Sequence, residues 1–201
     1  MSRIFPTLAV VAVVFMSIAF GLGWMIEDAG SMDPEKAAQV RWHLFAGLGA
    51  MVFTSLIHSI VLTYFMGTGR WLEETSKAYS LTELYFAESK KIKYRTIPMM
   101  IGGIVLIVFT GAMGAIADPA ARSGFGGWFG LTPAKTHFMV ASFAVMVNLL
   151  VHFIEFQAVR RNGQIVELVL ADVHQIRKDR GLPTEDMTGG TGRPQPEPVS
   201  Q

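Results

Sequence analysis

Four long apolar stretches, separated by short charged ones, set the pattern of this chain. Residues 8–26, 43–66, 96–117 and 136–154 each lack Asp, Glu, Lys and Arg. Each approaches the ~20 residues that a helix needs to cross the apolar part of a bilayer. The pattern therefore predicts an all-α integral membrane protein, a bundle of four transmembrane helices. The first block is longer than the apolar core of a secretory signal, and no small-x-small cleavage site follows it, so it reads as a retained span.

The polar stretches predict where the spans begin and end. Pro6 suits the first turn of a helix, where its missing N–H would be unpaired anyway. The first span ends in an acidic run, Glu27, Asp28, Asp33 and Glu35. The second starts near Arg41 and Trp42 and is expected to stop at Gly67-Thr68-Gly69. In the connection over 70–95, Leu72, Tyr79, Leu84 and Phe86 lie among charges, which predicts one or two short amphipathic surface helices. Arg95 and Pro98 are expected to open the third span, which carries Gly102, Gly103, Gly111 and Gly114. Small residues there let helices or a flat cofactor approach the backbone. A Gly-rich loop over 118–131 leads to Pro133 and the fourth span. Ile165, Leu168, Val169, Val173 and Ile176 then follow helical spacing, predicting an amphipathic helix over 161–180 lying on the membrane or a partner. The division is thus a transmembrane domain over 1–160, a surface helix over 161–180, and a disordered tail over 181–201.

Charge adds an orientation. Thirteen Lys and Arg flank one side of the spans, and only Lys36, Arg41, Arg122 and Lys135 flank the other. The positive-inside rule puts both termini in the cytoplasm of a multi-pass protein of a bacterial inner membrane. Net charge is only +1, with no basic stripe, so nucleic acid is not an expected partner. There is no cysteine, which excludes disulfides, thiolate metal sites, iron–sulfur clusters and covalent C-x-x-C-H haem attachment.

The chemistry lies in four histidines. His43 and His58 stand on the second span, His137 and His152 on the fourth, each pair fifteen residues apart. Both spans run the same way, so His43 is level with His137, and His58 with His152. A helical rise separates the levels by about 22 Å, and the two imidazoles of one helix differ by about 60° in direction. Intramembrane polar residues are rare and their default reading is functional. Four imidazoles at two matched depths suit two stacked b-type haems, each with two histidine axial ligands. That ligation favours electron transfer over oxygen chemistry. Gly47 and Ala141, one turn after the outer pair, leave room for a ring. Thr54 and Asn148, one turn before the inner pair, are candidates to hydrogen-bond a histidine or a neighbouring helix. Arg41, Arg122 and Lys135 outside, and Arg70, Arg95, Arg160 and Arg161 inside, are candidate propionate partners. Glu155, three residues after His152, is a candidate for quinone or proton handling near the inner level.

In this layout the chain resembles the four-helix, two-haem core of cytochrome b of quinol–cytochrome c reductases. That family also sets ligand pairs on its second and fourth helices, thirteen or fourteen residues intervening, with a cytoplasmic N-terminus. Here fourteen intervene in both helices. The resemblance covers residues 1–160. It implies that His43 and His137 hold an outer haem and His58 and His152 an inner one, with iron as the metal. The family's Pro-Glu-Trp quinol motif and its further helices are missing from this sequence.

The expected function is therefore transmembrane electron transfer by a membrane subunit of a larger, quinone-linked redox complex in the respiratory chain. Such a subunit makes and breaks no bonds itself. Its cofactors are two haem b, with a quinone as a further candidate; its partners are redox subunits and the lipid bilayer. A haem-free scaffold subunit is the alternative. A proton or divalent-cation carrier is a third reading, disfavoured by the distance between levels.

Overall fold

A computed structural model describes residues 4–183. Four helices account for nearly all of it: α1 (Ile4–Trp24), α2 (Pro34–Tyr79), α3 (Leu84–Ala117) and α4 (Pro133–Asp179), with one 3-10 turn at Pro119–Ala121. All four are long and apolar enough to cross a membrane. Within their most apolar windows only 22–28% of residues are buried, so lipid is the solvent that suits the rest. Val52, Leu56, Val105, Met146 and Leu150 all point outward.

The helices run up, down, up, down. Each packs on the next, α4 also touches α1, and the bundle closes along the α2–α4 diagonal, whereas α1 and α3 do not meet. One end carries loops 25–33 and 118–132; the other carries the tight turn between Tyr79 and Leu84. Trp24, Trp42 and Trp128 are exposed at the loop end, where a membrane–water interface favours tryptophan.

Local chemistry explains the helix ends. Asp33 caps α2 by accepting from Glu35 N at 2.8 Å, with Pro34 in the first turn. Thr132 and Pro133 repeat the device at α4. At the other end of α2, Ser80 is left-handed (φ 56°) and Leu81 N–H bonds back to Ser76 O at 2.9 Å.

Several boundary expectations fail here. Helix α2 does not stop at Gly67-Thr68-Gly69 but runs about 20 Å beyond Met66. The connection over 70–95 holds no separate surface helices; it is the end of α2, a turn, and the beginning of α3. Pro98 does not open α3 but lies inside it. Residues 161–179 are helical as expected, yet they continue α4 instead of forming a separate element.

The cause is a second core. Leu72 of α2 packs with Ile165 and Val169 of α4, flanked by Trp71, Tyr85, Ile92 and Val173. Ile165, Val169 and Val173 of the stripe read as a lipid- or partner-facing surface are therefore packed against this chain's own helices, while Leu168 stays exposed. A glycine in a helix costs only ~1 kcal/mol, less than burying one leucine contributes. The expected tail over 181–201 lies, beyond Pro183, outside the described residues.

Candidate cofactor site

The four histidines meet in two couples across the α2–α4 diagonal. The upper couple, nearer the loops, is His43 and His137, with ring centroids 6.1 Å apart and planes at 69°. The lower couple, nearer the turn, is His58 and His152, with centroids 4.9 Å apart and planes at 26°. Fifteen residues of helix separate the couples, about 22 Å of rise, so the bundle holds two separate places rather than one.

The upper couple is half-buried and sparsely tied. His43 Nδ1–H donates to the Ala19 carbonyl of α1 at 2.9 Å, which leaves its Nε2 as a lone pair. His137 Nδ1 is buried with no hydrogen-bond partner among the described residues.

The lower couple is sealed and closely wired. His58 Nδ1 donates to Glu155 Oε1 at 2.7 Å, and His152 Nδ1 donates to Glu155 Oε2 at 3.0 Å. His58 Nε2 donates to Asn148 Oδ1 at 3.0 Å, and the Asn148 amide donates to Ala144 O. Both ring nitrogens of His58 thus have side-chain partners on α4. His152 Nε2 has no hydrogen-bond partner among the described residues. His58, Asn148 and Glu155 are 0% exposed and His152 is 4% exposed, so these groups satisfy one another or remain unsatisfied.

Glycines of the flanking helices make room for the rings. A Cβ on Gly23 of α1 would lie 2.8 Å from His43 Cε1. A Cβ on Gly114 of α3 would lie 3.0 Å from His137 Cε1, and one on Gly103 would lie 3.0 Å from His58 Nε2. The expected spacer Gly47 has open space around it, and the glycines that abut rings belong to α1 and α3. Asn148 does bond a histidine of the facing helix, whereas Thr54 is buried with no partner. Glu155 lies inside the bundle, bonded to both lower rings.

Two features suit a cofactor gripped by paired imidazoles: the glycine cradles and the unpartnered buried nitrogens on His137 and His152. One does not. Axial imidazoles approach one metal end-on from opposite sides, whereas the lower rings are stacked side by side on one carboxylate. Seating a macrocycle there requires one ring to leave Glu155 and His58 Nε2 to leave Asn148. The same closeness gives His58, His152 and Glu155 one donor atom each, all within 4.8 Å of one another.

A further polar group carries no motif that marks it in the sequence. Asn162, 0% exposed, accepts from Ser89 Oγ at 2.6 Å and donates to Tyr64 Oη at 3.2 Å and Thr68 Oγ1 at 3.0 Å. It ties α2, α3 and α4 where the second core begins. The signal that could have found it is periodic: Asn148, His152, Glu155 and Asn162 recur on one helical face. Of the candidate inner cations, Arg70 pairs with Glu74 and Arg161 with Glu88. Comparison with protein-family models, with curated proteins and with solved structures gives no match.

Proposed function

We propose that this chain carries electrons across a membrane through two b-type haems, as the membrane subunit of a quinone-linked redox complex. One observation carries the reading. Two imidazole couples meet at two depths on the α2–α4 diagonal, and glycines of the flanking helices abut three of the four rings. His43 and His137 would hold the upper haem, and His58 and His152 the lower. When bound, each group supplies a one-electron iron couple. The chain's own part is to position and shield. The Ala19 carbonyl and Glu155 orient imidazoles through Nδ1, which leaves Nε2 of His43 and His152 for a metal, whereas His58 Nε2 would have to leave Asn148; the lower core excludes water. The excess of Lys and Arg beyond the turn end favours the cytoplasmic side for that end, and for the lower couple with it.

The test is a reduced-minus-oxidised spectrum of detergent-purified protein, with haem quantified per chain. Two haems are expected, and His58→Ala or His152→Ala should retain one. A colourless protein, or lower-couple variants that keep both haems, would sink the reading. A second reading rests on the three close donors: a single transition metal on His58, His152 and Glu155. It predicts a colourless protein with stoichiometric bound metal that is lost in Glu155→Ala.

A further inference from the structure

The outer face of α4 changes character along one stripe as the helix passes from its apolar span into its charged end. Phe153, Phe156, Arg160, Gly163, Gln164 and Glu167 recur at intervals of three and four residues, so they share that face. Phe153, with Phe5, Ala9 and Val13 of α1, lines an apolar cleft of about 300 Å³. Arg160, Gly163, Gln164 and Glu167 line a hollow of about 330 Å³ beyond it. Phe156 borders both, so the apolar cleft leads into the polar hollow.

Two opposite charges in that hollow lack partners. Arg160 has no acid, and Glu167 no base, within one turn of α4. Neither forms an ion pair among the described residues, whereas the adjacent Arg161 is paired with Glu88. Both are exposed and stand about 10 Å apart along the helix axis, the cation nearer the apolar span. Side chains lean toward the N-terminus of a helix, so Glu167 leans back over Gly163 toward Arg160. An added Cβ at Gly163 would meet nothing within 4 Å, so the hollow is open there. Outward along the stripe the order is thus apolar, cationic, uncharged, anionic. A zwitterionic phospholipid presents the complement in the same order: acyl chain, phosphate, two-carbon spacer, ammonium. A guanidinium matches phosphate with paired donors, and a carboxylate accepts from a primary ammonium. A choline head carries the same charges but offers the carboxylate no N–H, and a purely anionic head would meet Glu167 as a like charge.

We propose that this stripe holds one phosphatidylethanolamine molecule of the leaflet at the turn end. Its acyl chain lies in the α1–α4 cleft, its phosphate on Arg160 and its ammonium on Glu167. The site needs no metal on either imidazole couple, so it stands or falls separately from the two-haem reading.

The test is native mass spectrometry of the delipidated full chain in detergent. It is titrated with phosphatidylethanolamine, phosphatidylcholine or phosphatidylglycerol of the same acyl composition. One phosphatidylethanolamine should bind each chain more tightly than phosphatidylcholine, and about fivefold more tightly than phosphatidylglycerol, the order of one interfacial charge contact. Arg160→Gln should weaken phosphatidylethanolamine binding about fivefold. Glu167→Lys should reverse the preference in favour of phosphatidylglycerol, a change that lost folding would not produce. Gly163→Leu should weaken all three lipids by filling the hollow, with Tm kept because its Cβ meets nothing. A wild type that binds the three lipids alike carries annular lipid only, and that result overturns the proposal, as does a preference for either of the other two. An ethanolamine preference that survives Glu167→Lys, or binding unmoved by both Arg160→Gln and Gly163→Leu, also overturns it. A protein without haem fails the two-haem reading and leaves each of these outcomes readable.

Discussion

The upper and lower levels of this bundle use the same two helices, the same residue type and the same spacing, yet they are different environments. At the upper level the rings are half-buried, lean on a backbone carbonyl, and are spaced by Gly23 and Gly114. At the lower level they are sealed and joined to a carboxylate and an amide that belong to α4. Matched spacing therefore specifies where two sites are, not what each is. Neighbouring side chains make them unequal.

The largest test of this contrast removes one level at a time. His43→Ala or His137→Ala should abolish the upper centre and spare the lower; His58→Ala or His152→Ala should do the reverse, as counted by haem per chain. Next in size, Glu155→Ala leaves Nδ1 of both lower imidazoles buried without its partner. It should cost on the order of 1–3 kcal/mol per ring in unfolding of the cofactor-free protein, whereas His43→Ala should cost much less. Denaturation of both variants in detergent checks this; equal losses would erase the distinction between levels.

Smaller again is the effect of the cradles. Gly114→Leu should displace His137 and lower haem occupancy at the upper level only, and Gly103→Leu should do so at the lower level only, as separate spectral losses. Asn162→Ala should remove the bonds to Ser89, Tyr64 and Thr68 beyond the lower level, and cost on the order of 1–3 kcal/mol with haem content unchanged. The smallest effect is expected in the second core, where Tyr85 Oη donates to Asp172 at 2.7 Å. That carboxylate holds the phenol above its ordinary range. The bond contributes while the phenol stays protonated, and its contribution is lost as pH rises through the raised value. Tyr85→Phe should lower Tm slightly at neutral pH and flatten the decline above about pH 10.

The four spans were legible because an uncharged run of about twenty residues matches the thickness of a bilayer and outruns most soluble core helices. The pairing of the histidines was legible because equal offsets on co-directional helices fix equal depth. What escaped was set by packing. Gly67-Thr68-Gly69 reads as a stop, but Leu72, Ile165 and Val169 hold the helix together beyond it. Pro98 reads as a start, but its lost backbone bond is tolerated inside α3. Of the glycines on α3, Gly103 and Gly114 face imidazoles while Gly102 faces open space, a matter of helix rotation that spacing does not reveal. Glu155 stands out in the sequence by its charge, but its grip on two rings at once depends on side chains from two helices.

The unbroken course of α2 joins what a loop would have kept apart. His43, His58 and Leu72 ride on one rod, and α4 carries His137, His152, Ile165 and Val169 in the same manner. A protein gripping the projecting end would hold the same two shafts that aim the rings. Torque applied outside the bilayer would then reach the buried couple with no hinge to absorb it.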